Sequence, residues 1–426
     1  MRGVEGRNGK SARSKIGLAL AGGAPGGAVY EIGALRALDE AIDGIDFDDF
    51  DVYVGVSAGA FINSCLVNRL GTAQMCRALL SEEPGVHPFT PETFFTPSFR
   101  EILRRVASIP KLLVRSVASY ARKPREKLLT HAMSQLGEAL PVGCFDNEPI
   151  RLYLEKVLEH RGRTNDFRQL KRQLFVVATD LDSGRAVHFG EPGWDHVPIS
   201  RAVQASTALP GLYPPVEIEG RSYVDGILLR TVHASVALQA GAKLVLCVNP
   251  IVPVDTARAI EEGVLKGKHL TDRGLVTVLA QAVRTLIHSR LEVGMASYQR
   301  RFDADIVLLE PKRQDYEIFF TNIFGFSDRQ AVCEHAYEAT RHELRSRYDQ
   351  LAPVFARHGL TLRKDILEDP ARNLWSGLGL RRHRKRNDLE TLERLDSVLD
   401  RLDALVEKED EAEPPPRRRR GHLRLV

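Results

Sequence analysis

"VYVGVSAGAF" (residues 52–61) decides how the rest of the chain is read. A β-branched run passes through Gly55, Ser57 and Gly59 into small and apolar residues. In a strand–turn–helix setting, G-x-S-x-G exposes a serine hydroxyl at a sharp elbow. Two readings fit. Ser57 is a nucleophile facing the positive N-terminal end of a helix that starts near Ala58, or it is one small residue in a turn that lets a helix pack closely on a sheet. A nucleophile also needs a base and N–H donors for an oxyanion, so the readings separate on whether the chain supplies both.

Other strand-like runs surround this one. "KIGLALA" (15–21) leads into glycines and then the helical "AVYEIGALRALDEAI", and "FDVYVGV" (50–56) leads into the elbow. "QLFVVATDL" (173–181) followed by "DSGRAVHF" predicts a strand, a turn and a returning strand; "KLVLCVNP" (243–250) and "ADIVLLEP" (304–311) are later strands. Val, Ile and Leu runs separated by helical segments imply an α/β fold with a buried, mostly parallel central sheet. After about residue 345 the strand signal fades. Leu392, Leu395, Leu399, Leu402 and Val406 form a short a/d-type seam, which either dimerises the chain or docks on its own domain. Acidic "EKEDEAE" and basic "PPPRRRRG" then suit a solvated tail.

Bulk composition is that of a globular chain: 426 residues, 43% hydrophobic and 27% charged. Five widely spaced cysteines form no C-x-x-C pair, so neither a disulfide framework nor a zinc site is expected, and a reducing compartment fits. "IGLALAGGA" imitates a signal-peptide core, but it merges into a glycine loop and reads as the first strand. No apolar run reaches the roughly 18 residues of a membrane span. A net charge of +4 is too small to imply nucleic-acid binding.

Donors and a base are both available. "GGAPGG" (22–27) lies between the first strand and first helix, and its glycines expose N–H groups to an anion. It lacks the G-K-[ST] ending of a P-loop; an oxyanion hole beside Ser57 accounts for both glycine motifs together. For the base, His233 follows Asp225 by only eight residues and nothing marks the other histidines. In "GRSYVDGILLR" (220–230), Asp225-Gly226 follows a strand-like segment and suits a carboxylate projected into a cleft, although Asp-Gly is also common in plain turns. Within hydrogen-bond reach of a serine, an aspartate serves directly as base.

These pieces in this order resemble the patatin-like phospholipase family: "GGAPGGAVYEIGALRAL", "GVSAGA", "TDLDSG" and "AVQASTALPGLYPPVEIEGRSYVDG", over residues 15 to about 250. The resemblance implies a three-layer α/β/α fold and hydrolysis of lipid acyl esters by a Ser–Asp dyad without histidine, metal or other cofactor. By motif, Ser57 resembles the nucleophile and Asp225 the base, with Gly55 and Gly59 framing the elbow. Gly22, Gly23, Gly26 and Gly27, with Ala58, resemble the oxyanion hole. Two features depart from the family pattern. Ala24-Pro25 replaces a loop position that often carries Gly and then Arg or Lys, and the usual D-G-G or D-G-A reads Asp225-Gly226-Ile227.

The expected organisation is a flexible N-terminus (1–14), an acyl hydrolase domain (15–345), a helical C-terminal extension (346–410) and a basic tail (411–426). Within the domain, residues 100–127 carry nine Lys/Arg against Glu101 and Glu126. In a helical insertion over about 98–130, Ile102, Val106, Ile109, Leu113, Val117 and Tyr120 share one face. Arg104, Lys111, Arg115 and Arg122 lie opposite, as on a helix that meets an anionic membrane or on a lid that packs its apolar stripe inward. The expectation is a cytoplasmic lipid acyl hydrolase of the phospholipase A or lysophospholipase type, peripheral on the inner face of a membrane. A homodimer is compatible with it. The alternatives are a soluble esterase or thioesterase, and a lipid-binding protein that has lost turnover.

Overall fold

The computed structural model describes residues 14–80, 96–98, 142–263, 269–315 and 326–380. Arg104, Lys111, Arg115 and Arg122, the seam at 392–406 and both terminal tails lie outside these residues. The main sheet has eight strands: β1 (Ile16–Leu20), β2 (Val52–Val56), β3 (Gln173–Asp180), β4 (Arg185–Phe189), β5 (Val216–Ile218), β6 (Arg221–Asp225), β7 (Leu244–Val248) and β8 (Asp305–Leu309). Their order is β8-β7-β1-β2-β3-β6-β5, with β4 also paired to β3. Strands β8, β7, β1, β2 and β3 run parallel, whereas β4 and β6 are antiparallel to β3 and β5 is antiparallel to β6. The predicted mostly parallel sheet is present, and the returning strand after "TDLDSG" is β4. Strands β1, β2 and β7 are buried at every position, which is why they read as unbroken apolar runs rather than alternating ones.

Helices α1 (Ala24–Ala41), α2 (Ala58–Val67), α3 (Ile199–Ser206), α4 (Leu275–Arg301) and α5 (Phe326–Ser346) surround this sheet and its loops. Pro25 in the first turn of α1 costs nothing, since the N–H it lacks has no helical partner there. Helix α5 crosses α1 so closely that a Cβ added at Gly33 would lie 2.3 Å from the Cys333 carbonyl oxygen. The same face of α1 carries Glu40, whose carboxylate receives hydrogen bonds from Arg372 Nε and the Tyr337 hydroxyl, both at 2.6 Å, and pairs with Arg36. Burial pushes that carboxyl up, but these hydrogen bonds and the two guanidinium charges outweigh it and hold it below its ordinary value. Residues 326–378 are thereby fastened to the helix that begins at the glycine loop. No helix among the described residues is long and apolar enough to cross a membrane.

Gly33→Val forces α1 and α5 apart. It should destabilise the protein by about 1–3 kcal/mol, as overpacking of a tight contact does, read from the midpoint of urea unfolding. An unchanged midpoint would contradict this packing.

Candidate active site

The edges of β3 determine what meets at the centre of the molecule. Strand β4 pairs with Val176–Asp180 of β3 and so occupies one edge. On the other edge, β2 pairs up to Val56 opposite Val177, and β6 pairs from Asp225 opposite Ala178. Two strands that run in opposite directions therefore abut end to end along one edge, with their C-terminal ends facing each other. The residue after β2 is Ser57, and the last residue of β6 is Asp225. Register alone delivers these two side chains, 168 positions apart in sequence, to one point.

Ser57 has φ 53° and ψ −121°, a strained conformation for a residue with a Cβ. Its N–H donates to Ser206 Oγ at 2.8 Å, and Ser206 Oγ in turn donates to the Val177 carbonyl at 2.6 Å. The Ser206 hydroxyl therefore ties the elbow to β3 at the junction between β2 and β6. Ser206 closes α3 and falls within "AVQASTALPG", yet nothing in the sequence distinguishes it from its neighbours. The elbow glycines admit no side chain: a Cβ would lie 2.4 Å from Ala60 Cα at Gly55 and 2.5 Å from Ala21 O at Gly59. Helix α2 starts at Ala58, directly after Ser57, and its N-terminal end faces the same point.

Asp225 is 2% exposed. Burial pushes its carboxyl up to about 7, against opposing hydrogen bonds from the Ile227 N–H and the Ser57 side chain. The Ile227 N–H bond to Oδ1 measures 3.0 Å and fixes the carboxylate at the head of a short turn, while the Asp225 backbone is held by Ala208 O and the Thr179 hydroxyl. His233 is also buried, but its Nε2 lies 3.2 Å from Gly226 O, and burial pushes the ring down to about 3. It is a neutral ring tied to the backbone just after Asp225.

The glycine loop closes the site from above. A Cβ at Gly22 would sit 2.9 Å from Ser57 Cβ, so the loop backbone passes directly over Ser57. Gly27 N–H is spent on Gly23 O at 2.8 Å, and Gly59 N–H on Ala21 O at 3.0 Å; Gly27 and Gly59 therefore shape the turn and do not donate to a ligand. That corrects the expectation for Gly27. Gly22, Gly23, Gly26 and Ala58 lie at the start of their helices, where the first N–H groups have no carbonyl four residues earlier within the helix. Ala24, in place of a glycine, takes φ 53° in the left-handed region. The loop adopts the tight turn despite the substitution, at a cost of about 1–2 kcal/mol. Below it on α1, Glu31 is fully buried, and burial pushes its carboxyl well above the usual range.

Ser206→Ala removes the acceptor of the Ser57 N–H and the donor to Val177 O together. It should cost about 1–3 kcal/mol of stability for the groups left unsatisfied. It should also slow fluorophosphonate labelling of Ser57 by about tenfold or more, because the elbow loses its anchor. Labelling at the wild-type rate would show that Ser206 does not position Ser57.

The model of the patatin-like phospholipase family matches residues 18–238, a span holding the glycine loop, the elbow and the Asp225 turn. Among solved structures, the chain is similar to VipD from Legionella pneumophila, with 16% identity and a TM-score of 0.35 over 79% of this chain and 68% of that one. It is also similar to full-length ExoU from the type III secretion system of Pseudomonas aeruginosa, solved in complex with SpcU. There the identity is 15% and the TM-score 0.26, over 89% of this chain and 73% of that one. With just over half of its length matched, this chain belongs to the patatin-like phospholipase family.

Proposed function

We propose that the protein hydrolyses carboxylic esters of membrane lipids, as a phospholipase A or lysophospholipase, through an acyl-enzyme on Ser57 with Asp225 as base. The observation that supports it most is the contact of the Ser57 side chain with a buried carboxylate whose pKa lies near neutrality. Such a group is about half ionised at neutral pH, and its carboxylate form is basic enough to accept a hydroxyl proton. In the first step Asp225 takes the Ser57 proton as Oγ bonds to the ester carbonyl carbon. Backbone N–H groups of the Gly22–Gly23 turn and Ala58 carry the oxyanion charge; one such donor is worth about 10²–10³ in turnover. The leaving alcohol departs with the proton from Asp225. Water then enters, gives its proton to Asp225 and attacks the acyl carbon. Release of the fatty acid returns that proton to Ser57 Oγ, and no external acid or metal enters the cycle.

Ser57→Ala and Asp225→Asn should each abolish fatty acid release from phospholipid vesicles by about 10³-fold or more, by analogy with the loss of one member of an activated nucleophile pair. Release that survives both substitutions would overturn the assignment. A protein that binds vesicles but whose wild type releases nothing would point to a lipid-binding role instead.

Protonation of Asp225 sets the pH dependence. Below about 7 its carboxyl is protonated and accepts no proton, so kcat/KM should rise with pH to a plateau above that value. A rate already flat from pH 5 would contradict it. Stability runs the other way. The folded chain holds a proton on Asp225 at pH values where the unfolded carboxyl, at about 3.8, has lost it. The penalty is absent below that value, grows as pH rises towards 7 and is constant above, reaching on the order of 4 kcal/mol. Asp225→Asn should therefore be more stable than wild type at pH 8, and the difference should vanish near pH 4.

A further inference from the structure

Helix α4 carries two apolar faces. One is core: Ile287, Leu291 and Tyr298 are buried, and His288 is buried beside them. The other faces solvent, with Leu275 71%, Leu279 54%, Leu286 62% and Val293 70% exposed, and Val283 on its margin. At about 100° per residue, these four positions fall within one narrow stripe; Arg290 lies on its margin before Val293, and Arg301 lies on the same margin at the C-terminal end. Most of the exposed large apolar side chains among the described residues lie on this one helix, with Leu228 also exposed on the loop it touches. An apolar stripe that ends in cations is the pattern of an interfacial element, not of scattered surface leucines.

The stripe is physically joined to the loop that follows Asp225. Arg290 Nη1 donates to Leu228 O, Thr231 Oγ1 to Ile287 O at 3.1 Å, and Arg230 Nη1 to the Tyr298 hydroxyl at 3.1 Å. Between the loop and the helix is a cleft of about 440 Å³, lined by Arg230, Arg290 and Arg301 with Thr231, Ser297 and Tyr298 among its walls. No carboxylate lines it, and neither do Ser57 or Asp225. The only acidic residue of α4, Glu292, turns away and lies 3.3 Å from His288 Nε2 and 3.8 Å from Arg313.

We propose that this face of α4 is a docking surface for an anionic lipid bilayer: Leu275, Leu279, Leu286 and Val293 enter the acyl boundary, and Arg290 and Arg301 meet headgroup phosphates. Charge selects this occupant over the alternatives. A second copy presenting the same face would bring no carboxylate to meet Arg290 and Arg301, since neither this stripe of the helix nor the cleft carries one, and the chain's own segment 100–127 is itself strongly cationic. A surface of lipid phosphates complements both the stripe and the cleft. Each cation near such a surface strengthens binding about fivefold. Docking here places the loop after Asp225 against the substrate phase. The inference rests on the lipid-hydrolase reading for the substrate only, and its test does not require turnover.

The full chain carrying Ser57→Ala is sedimented with vesicles of phosphatidylcholine alone and of phosphatidylcholine with phosphatidylglycerol. Stronger binding to the phosphatidylglycerol vesicles is expected. Leu279→Ser with Leu286→Ser should weaken it at least about tenfold. Arg301→Glu should weaken it about fivefold or more on the anionic vesicles and little on the neutral ones. With Ser57 restored, both variants should hydrolyse a soluble short-chain ester at the wild-type rate, so failure of the dyad appears in that assay and not in sedimentation. Equal binding by all variants, or no preference for anionic vesicles, overturns the proposal. So does a leucine variant that changes oligomeric state while vesicle binding is unaltered, since the occupant would then be a second copy.

Discussion

One edge of β3 organises the molecule. Between Val177 and Ala178 the edge changes partner, from the parallel β2 to the antiparallel β6, and Val177 O at that junction accepts the Ser206 hydroxyl. That hydroxyl ties the end of β2 to β3, because its oxygen also accepts the Ser57 N–H. The break that would weaken an ordinary sheet therefore supplies a place where two strand C-termini, and the side chains they carry, face each other. Glycines are required on both sides of it. A Cβ at Gly226 would lie 2.4 Å from Val177 O, just as one at Gly55 would strike the start of α2.

Around that point the structure holds several unfavourable features together. Ser57 and Ala24 both have positive φ without being glycine, Asp225 is a carboxylate with almost no solvent contact, and the Glu31 carboxyl is fully buried on α1. Each costs stability by itself. They persist because the flanking strands are buried at every position and because α1 is fixed at its far end by the Glu40–Arg372–Tyr337 cluster and the close approach of α5. Strain at the loop and anchorage of the helix are two ends of one element.

Much of this was legible in the sequence because buried parallel strands announce themselves as unbroken apolar runs. β1, β2, β3, β7 and β8 fall within the segments that composition and flanking glycines mark, and "DSGRAVHF" reads as a returning strand. Ser57 and Asp225 stand out because a motif confines each to a sharp turn. Three features were not legible. Ser206 is an ordinary serine until the register of β3 shows which carbonyl it must satisfy. The engagement of Gly27 N–H by Gly23 O depends on where α1 begins, and a run of glycines does not show that position. The second apolar face of α4 is hidden because a helix buried on one side and apolar but exposed on the other mixes its periodicities, and Leu, Val and Arg at every third or fourth position suit a core helix equally well.

The central claim is that an acyl group passes through Ser57. Rapid quenching of wild-type protein mixed with phospholipid vesicles whose two acyl chains differ in mass, followed by digestion and mass spectrometry of the peptide spanning residues 52–61, tests it directly. The account predicts an ester adduct on Ser57 with the mass of one of the two chains, formed and consumed at the rate of fatty acid release. Release of fatty acid without an adduct on that peptide, or with the acyl group on another residue, would contradict it.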